Sequence, residues 1–450
     1  MSNFNLTQST QSTIRRLEIT SGGVTLDVSS IFQELNIFDT ILFPVVSGNI
    51  VILDANNLSS KINFIDAFLN VEISKGEETS GVTTIKRSFR IYNQSDRVMK
   101  NQSSEVYILH FVSQELIESL TYTKENMKTS QYFEGSYSKA AEIILKNYLQ
   151  ISDENIAFIQ ETKGIHQFVI PNLSPLDAMD WLTKRSISYD NMPNFVFFEN
   201  TIGFTFASLS YLLNERPIAT INFDIKNLDE FDHEFSGVRD VQVITQNNLI
   251  KGIMDGIYSG VHIEFDPFTQ TYGETQFDIT DIAKRITNKN PHLSTMPNRQ
   301  GNSVINSNAA RTITALSTTG RQTGPAGDYL KINDPKTANI VDDVINWKFA
   351  RRPIFENLFQ KRLKMTLPGN FIYSSGLNVT LKGFNLTLNT RTNSQDVSTY
   401  GKYMIVAVRH MIKPQMFETV LEVASDSTNS SIPSSSDSVT QQFVASGGTI

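Results

Sequence analysis

The sequence GKYMIVAVRHMIKPQMFETVLEVA, residues 401–424, ends the stretch 340–424 around which the rest of the chain is organised. Residues 403–410 predict a β-strand, Pro414 marks a turn, and residues 417–423 alternate between apolar and polar positions. Alternation with a period of two places one side of a strand in a core and the other side in a polar environment. This part of the chain therefore predicts antiparallel strands.

The first part of the same stretch has helical periodicity. Apolar residues recur every three or four positions from 341 to 359, and Pro353 predicts a bend between two helical pieces. Pro368 ends the helical pattern, and a period of two then predicts a strand at 377–382. Basic residues gather toward the end of the pattern, where they suit a helix dipole; they are Lys348, Arg351, Arg352, Lys361, Arg362 and Lys364. A bent helix and three strands cannot bury an apolar face alone, so residues 218–244 are expected to supply further strands.

Composition bounds the class of protein. The 450 residues are 40% hydrophobic and 10% aromatic, which is typical of a globular protein of two to four domains. A net charge of −7 argues against a general nucleic-acid binder. The chain has no cysteine, which excludes disulfides, thiol catalysis and thiolate metal sites and is typical of a reducing cytoplasm. The polar residues 1–13 predict a flexible N-terminus rather than a signal peptide, and no apolar run predicts a membrane-spanning segment.

Residues 14–113 contain short strand patterns and little helix. A Gly-Gly pair at 22–23 predicts a hairpin between 16–20 and 24–28, and residues 29–35 predict a single helical turn. The further predicted strands are 37–46, 49–54, 68–74, 84–92 and 105–112. Six or seven short strands in about 110 residues predict a closed or nearly closed β-barrel.

Residues 114–210 predict a small α/β module inserted after the first barrel. Ser174 is a good N-cap, Pro175 occupies the favoured first helical position, and Asp177 approximates a capping box. The predicted elements are a helix at 138–149, an extended segment at 167–170, a helix from 174 to 182 and a hairpin at 194–207.

The second half of the chain predicts a second barrel, built from 211–265 and 340–424, with its clearest early strands at 241–244 and 260–265. The fold class is therefore α+β, mainly β, with two antiparallel β-barrel domains.

Two segments interrupt or follow these elements. Residues 266–339 are rich in Asn, Thr, Ser and Gly and predict a loop-rich excursion. Residues 425–450 form a Ser-rich C-terminal tail with isolated apolar residues, as expected of a segment that docks on a partner.

The sequence contains few candidate catalytic, metal-binding or nucleic-acid-binding residues. His262 and Glu264 are spaced to place two metal ligands on one strand face, but they need a third ligand, and a plain surface pair is the stronger interpretation. Two carboxylates that converge in space can form the catalytic pair of a glycosidase, and one stretch of the chain is rich in them. A solvated loop explains this stretch better. Its carboxylates are Asp224, Asp229, Glu230, Asp232 and Glu234. Arg351 and Arg352 beside Trp347 fit nucleic acid or an amphipathic helix with a basic outer face equally well. Nucleophile-elbow, phosphate-loop and dinucleotide motifs do not occur, so we expect no catalytic residue, no cofactor and no metal.

Three groups of short motifs resemble one family, the central baseplate hub proteins of contractile phage tails. The first group is LEIT at 17–20, VTLDV at 24–28, ELNIFD at 34–39, ILFP at 41–44, GNI at 48–50 and Asp54. The second is FVIPNLSP at 168–175, WL at 181–182, KRS at 184–186, NFVFFE at 194–199 and GFTF at 203–206. The third is LPGN at 367–370, GLNV at 376–379 and residues 401–410. Their order and spacing carry the resemblance, which covers about two-thirds of the chain and leaves 285–334 unmatched.

The resemblance implies two barrels of the tail-tube type with the module outside them. It implies a homotrimer whose six barrels form a pseudo-sixfold ring, with tail-tube-type proteins on one side and a trimeric spike on the other. DNA would pass through the lumen without sequence-specific binding, and the protein would belong to the virion baseplate after synthesis in the host cytoplasm. The residues expected to face the spike are Val439, Phe443 and Val444 in the tail.

Two other functions remain open from the residues. A carbohydrate-binding tail or surface protein would use Phe265, Phe268 and Tyr272 in loops as anchors, although packing under a loop explains them better. A cell-wall-cleaving tail enzyme would need a separate catalytic domain, for which the chain shows no pattern.

Overall fold

The computed structural model describes fourteen separate parts of the chain. They are residues 12–58, 62–75, 84–101, 104–121, 129–222, 238–246, 250, 254, 259–266, 271–278, 312–316, 351–359, 361–382 and 401–425. Most described residues outside loops lie in antiparallel strands, so the predicted class, α+β and mainly β, is confirmed.

The first seven strands wrap around one apolar core. They are β1 Ser12–Ser21, β2 Val24–Asp27, β3 Phe32–Thr40, β4 Ser47–Asp54, β5 Phe68–Lys75, β6 Thr84–Asn101 and β7 Ser104–Ser113. They pair in the order β3-β4-β7-β6-β5-β1-β2. The backbone N–H of Val28 donates to Leu17 and that of Leu53 to Ile31, so the segment after β2 links β1 to β4. The core contains Ile19, Leu35, Ile50, Leu69, Phe89 and Phe111 among others.

The predicted Gly-Gly hairpin is confirmed. Gly22 and Gly23 have φ of +56° and +83°, and the strands on either side pair from Glu18–Asp27 to Ser21–Val24. A two-residue turn that needs positive φ at both central positions favours glycine, because a side chain is strained there. The helical turn predicted at 29–35 is wrong, since β3 begins at Phe32 and Leu35 pairs with Ile50.

The second half of the large sheet has its own core. Its strands are β13 Ala219–Asn222, β14 Asp240–Gln246, β18 Lys361–Pro368, β19 Asn378–Lys382, β20 Gly401–Lys413 and β21 Met416–Ser425. They run β14-β18-β21-β20, with β19 joined to β20 and β13 paired in parallel with β19. The prediction that 218–244 supplies strands to the C-terminal stretch is confirmed. This core contains Leu363, Met365, Val379, Tyr403, Ile405 and Leu421 among others.

In chain order, a separate sheet and a helix lie between β14 and β18. Helix α5, Arg351–Leu358, confirms the helical prediction over those residues, and the piece predicted before it lies outside the described residues. The continuation of the helical pattern to Pro368 is wrong, because Lys361–Pro368 is a strand whose alternate residues, such as Leu363 and Met365, face the core. The strand expected at 260–265 exists as β15, Ser259–Asp266. It pairs with β16 Thr271–Asp278 and β17 Thr312–Leu316 rather than with the large sheet.

The α/β module packs at one end of the large sheet. Its strands are β8 Tyr132–Gly135, β9 Ile156–Ile159, β10 His166–Val169, β11 Phe195–Glu199 and β12 Phe204–Ser208. Its helices are α1 Gln114–Leu120, α2 Tyr137–Ile143, α3 Pro175–Thr183 and α4 Leu209–Asn214, and a π-helical turn, Ile144–Tyr148, extends α2. The predicted cap is confirmed, because the Ser174 side chain accepts from the N–H of Asp177, and Pro175 begins α3. The hairpin predicted at 194–207 is β11–β12.

One ladder, between β3 and β20, joins the two halves into a single thirteen-stranded sheet. It contains six residue pairs, from Leu35–Ile412 to Thr40–Ala407, in antiparallel register. We call this ladder the seam. Leu35 and Ile37 on β3 and Ile412 on β20 all belong to the first core, so the seam packs over that core.

Candidate functional site

The most unusual cluster among the described residues is a set of buried polar groups where the two halves of the sheet meet the module. We call it the junction, and define it as Asp39, Arg87, Glu199, Asn200 and Ser375. Asp39 and Arg87 belong to the first half, Glu199 and Asn200 to the module, and Ser375 to the second half. Asp39 and Asn200 are at most 3% exposed, and Glu199 and Ser375 are fully buried.

Glu199 is placed by a strand that is apolar everywhere else. Strand β11 reads FVFFE, and all five residues are buried between cores. The Glu199 Oε2 accepts from the Val46 N–H at 2.9 Å and from the Ser113 hydroxyl at 2.5 Å, and its Oε1 accepts from the Arg87 guanidinium. A buried carboxylate is tolerated only when it is paired and hydrogen-bonded, and Glu199 meets both conditions.

Arg87, on β6 of the first half, also binds the turn that follows β11. Its Nη2 donates to the backbone oxygens of Asn200 at 3.1 Å and Thr201 at 3.4 Å. A guanidinium presents several donors in a fixed plane, so one Arg side chain holds both the carboxylate and the turn.

The turn is shaped by Asn200, which also reaches the second half. Its Oδ1 accepts from the N–H groups of Ile202 at 2.9 Å and Gly203 at 3.1 Å, and its Nδ2 donates to the Ser375 carbonyl at 2.9 Å. The N–H of Ser375 in turn donates to Asp39 Oδ1 at 3.3 Å. The hydrogen bonds therefore run through all three parts of the chain.

Close packing fixes the loop that carries Ser375. Gly376 has φ of +84°, and a Cβ at this position would lie 2.6 Å from Phe198 Cζ. Only glycine meets both constraints, so the loop approaches the module at a distance that a side chain would prevent.

Burial dominates the electrostatics of the junction. Desolvation, together with the nearby negative charge of Glu199, raises the pKa of Asp39 to about 8, although hydrogen bonds from Ser375 and Thr201 and the charge of Arg87 oppose the shift. The Oδ2 of Asp39 has no hydrogen-bond partner, which suits a protonated, neutral carboxyl. Partial burial and the Glu199 charge also raise the pKa of Glu115 to about 7.

Four of the five junction residues are buried, and Arg87 is 17% exposed, so the arrangement is that of a structural joint. Arg87 pairs with Glu199, and Asp39 accepts from the backbone N–H of Ser375. In the parts of the chain that the structure describes, no group of three His, Cys, Asp or Glu residues is arranged to hold a metal ion.

A second polar clamp ties helix α5 to the module. Arg351 donates from Nη1 to the backbone oxygens of Thr183 and Pro193, each at 2.9 Å, and its guanidinium lies 4.9 Å from the Phe355 ring centroid. Desolvation lowers the pKa of Arg351 to about 10. This Arg was considered above for nucleic acid or for a basic outer helix face, and instead it binds the end of α3.

An open groove of about 820 Å³ lies on the module between α2 and β9. Lys146 in its wall is held by Glu142 at 2.8 Å and Asp153 at 2.7 Å. Phe158 on β9 stacks on Tyr211 at 4.8 Å between ring centroids. The groove walls are therefore largely occupied with their own contacts.

Most residues singled out from the sequence lie elsewhere or outside the described residues. Phe265 and Tyr272, expected in loops, are paired across strands β15 and β16, which corrects that expectation. His262 and Glu264 lie on β15, and their side chains are outside the described part. Also outside it are Asp224, Asp229, Glu230, Asp232, Glu234, Phe268, Trp347, Val439, Phe443 and Val444.

The junction is not predicted from the sequence, although the sequence contains one signal for it. Glu199 ends a run of four apolar residues and is followed by Asn200, a residue that shapes turns. A lone acid at the end of a fully apolar strand points to a buried, paired carboxylate. Its partners, Arg87 and Ser113, are 112 and 86 residues away, so the sequence offered no means of naming them.

Among the helices whose residues the structure describes, none has the length and apolar character needed to cross a membrane.

The fold is similar to that of two tail proteins of known structure. A tail protein from Neisseria meningitidis MC58 superposes with a TM-score of 0.53 at 10% sequence identity, over 91% of this chain and 96% of that protein. The 43 kDa tail protein of prophage MuSo2 from Shewanella oneidensis superposes with a TM-score of 0.51 at 8% identity, over 92% of this chain and 99% of that protein. No protein-family model and no curated protein sequence matches the chain. The structural likeness covers nearly the whole of each chain, so the tail-protein fold that the resemblance implied is confirmed.

Proposed function

We propose that this chain is the central baseplate hub of a phage tail and that it works as a homotrimer. Three copies form a pseudo-sixfold ring that joins a hexameric tail tube to a trimeric spike and leaves a channel for DNA. The role is geometric, and no catalytic step is part of it.

The observation that carries the proposal is the single sheet with two cores. One chain supplies two β-rich halves, each packed around its own core, and the six-residue seam fixes their relative position. Three such chains supply six β-rich halves, which matches the number of subunits in a hexameric tube. The likeness to two tail proteins over more than nine-tenths of the chain supports the same role.

The junction supports the proposal because an adaptor must hold its parts at fixed angles. Buried polar networks specify one arrangement more strictly than apolar contacts do, since a displaced partner leaves a buried charge unpaired. Glu199 and Asn200 connect the module to both halves in this way. In the proposed ring, the module remains outside the two tube-like halves and does not enter the channel.

The solution mass is the first test. Light scattering or native mass spectrometry should give a particle of about three times the 50.6 kDa chain mass, alone or together with the spike protein. An electron micrograph of that particle should show an annulus. A monomer that stays monomeric with its spike contradicts the proposal.

The tail provides a second, independent test. We propose that residues 425–450 contact the spike through Val439, Phe443 and Val444. Deleting 426–450 should reduce recovery of the hub–spike complex, with the mass of the hub itself unchanged. Recovery at full yield refutes the tail assignment. Binding on a glycan array, or turnover of cell-wall substrate, would favour the carbohydrate-binding or cell-wall-cleaving alternative instead.

A further inference from the structure

The groove on the module has a helix on one side and the edge of a strand on the other. Helix α2 and the π-helical turn after it present Lys139, Glu142 and Lys146, which are three and four residues apart and share one helix face. All four residues of β9, Ile156–Ile159, line the opposite wall. Successive residues of a strand point to opposite faces, so a groove that touches all four meets β9 at its edge.

No described strand pairs with that edge of β9. The three-stranded sheet has the order β11-β12-β9, so β9 is its outer strand. The N–H of Gln160, the residue after β9, donates to Phe206 on β12 at 2.8 Å. Because backbone groups alternate in direction along a strand, the N–H and C=O of Ile159 face the groove. The groove therefore contains an open sheet edge.

The side chains of the groove offer less to a ligand than its backbone does. Lys146 is bound by Glu142 and Asp153, and the Phe158 ring stacks on a ring from α4. An extended peptide that adds a strand to a sheet edge binds mainly through its main chain, and its apolar side chains add specificity. A peptide of this kind suits the groove best.

The chain leaves the large sheet close to the groove. Strand β21 ends at Ser425, and Ala424 packs in one cluster with Val196 of β11. Tyr211 packs against the same cluster and stacks on Phe158 of β9, with 4.8 Å between ring centroids. One aromatic pair thus links the end of β21 to the groove.

The rest of the chain is long enough to enter the groove. Residues 426–450, 25 in all, follow β21 and lie outside the described part of the chain. An extended chain spans about 3.3 Å per residue, so the tail reaches about 80 Å. Strand β9 lies two strand spacings, about 10 Å, from β11, against which Ala424 packs.

One segment of the tail has the composition of a strand. Residues 438–444 read SVTQQFV and include neither Gly nor Pro, and their apolar members are Val439, Phe443 and Val444. The groove wall carries two Lys and three acids, whereas the tail carries two acids and no Lys or Arg. Attraction of charges does not favour binding, so main-chain hydrogen bonds and apolar contacts must provide the affinity.

We propose that residues 438–444 bind in the groove of their own chain as a strand added to β9, and that the spike displaces them during assembly. The second part rests on the proposed function, in which Val439, Phe443 and Val444 contact the spike. The same three side chains cannot bind both partners at once. Until the spike is present, the groove keeps them from solvent, and the tail covers a sheet edge that is otherwise open to aggregation.

A disulfide trap tests the groove in the full-length chain, which has no native cysteine. Tyr189→Cys in the groove wall is combined with Gln441→Cys or Gln442→Cys, two tail positions on opposite faces of a strand. The control replaces Tyr189→Cys by Val169→Cys, which is 57% exposed on the module outside the groove. At one of the two tail positions, the groove pair should form an intrachain disulfide about tenfold faster than its control, because binding raises the local concentration. Equal rates at both positions, or disulfides that join two chains, would overturn the proposal.

Hydrogen exchange tests the addition of a strand rather than mere proximity. The backbone amide of Ile159 should exchange about tenfold more slowly in the wild-type chain than in the double variant Phe443→Ser, Val444→Ser. Ile432→Ser removes an apolar residue of the tail outside the proposed segment and should leave this exchange rate unchanged. All three substitutions lie outside the described cores. The same Ile159 exchange rate in all the proteins would contradict strand addition.

Adding the spike protein tests the displacement. The groove pair should then form its disulfide no faster than the control pair, and an unchanged rate in the assembled complex would refute displacement. The two assignments of the tail fail separately. A trapped tail, together with full spike recovery after deletion of 426–450, supports the groove and removes the spike contact. Reduced recovery without a trapped tail does the reverse.

Discussion

Replacing Asp39 by Asn is expected to reduce the loss of stability that the protein suffers as pH rises. Asp39 is 2% exposed, and its burial raises its pKa to about 8. The folded protein therefore keeps a proton on Asp39 between about pH 4 and pH 8, where the unfolded chain has released it. Because the folded state binds the extra proton, the free energy of unfolding falls as pH rises through this window.

The magnitude follows from the size of the window. One proton contributes about 1.4 kcal/mol per pH unit, so the Asp39 contribution falls by about 2.7 kcal/mol from pH 5 to pH 7. Asn has the shape of the protonated carboxyl and cannot ionise. The difference in unfolding free energy between Asp39→Asn and wild type should therefore grow by about that amount in favour of the variant over the same range.

Urea unfolding of both proteins at several pH values measures this difference. The comparison is needed because other groups act in the opposite direction. Burial lowers the pKa of His410 to about 3, so its contribution to stability is lost as pH falls below about 6.5. That contribution is common to both proteins and cancels. A difference that stays constant from pH 5 to pH 7 would refute the reasoning about Asp39.

Three further substitutions test the packing. Arg87→Met removes the cation from the fully buried Glu199 and should lower the free energy of unfolding by about 3–5 kcal/mol, with part of the loss restored when Glu199→Gln is added; a fully additive double-mutant cycle would contradict the pairing. Gly376→Ala places a Cβ 2.6 Å from Phe198 Cζ at φ of +84° and should lower the free energy of unfolding in urea by about 1–3 kcal/mol. An unfolding free energy equal to that of the wild type would contradict the described loop. Ser174→Ala removes the cap acceptor of α3 and should cost about 1 kcal/mol and speed amide exchange in its first turn, whereas unchanged exchange would show that the cap is dispensable.

Local signals account for the elements that the sequence predicted well. The hairpin at Gly22 and Gly23, the turn at Pro414 and the cap at Ser174 depend only on neighbours within a few residues. The alternating runs around Val379 and Val423 likewise place their own apolar residues in the core.

The sequence predictions are wrong where residues far away in the chain determine the local conformation. Residues 29–35 have a helical pattern, but Leu35 pairs with Ile50 on one side and with Ile412 on the other. The strand Lys361–Pro368 follows a helix without a break in pattern, and its pairing with β21 decides its conformation. The junction and the seam depend on such partners entirely, so periodicity alone does not predict them.

The seam also determines how late in synthesis the sheet can be completed. Arg409 and Asn36, which meet across it, are 373 residues apart, so the ribosome must deliver almost the entire polypeptide before β3 finds its neighbour. Until then β3, which already pairs with β4, leaves its other edge unpaired, and an exposed strand edge is a known starting point for aggregation. Chains that end before β20 should accordingly be insoluble or bound to chaperones, whereas full-length chains should be soluble.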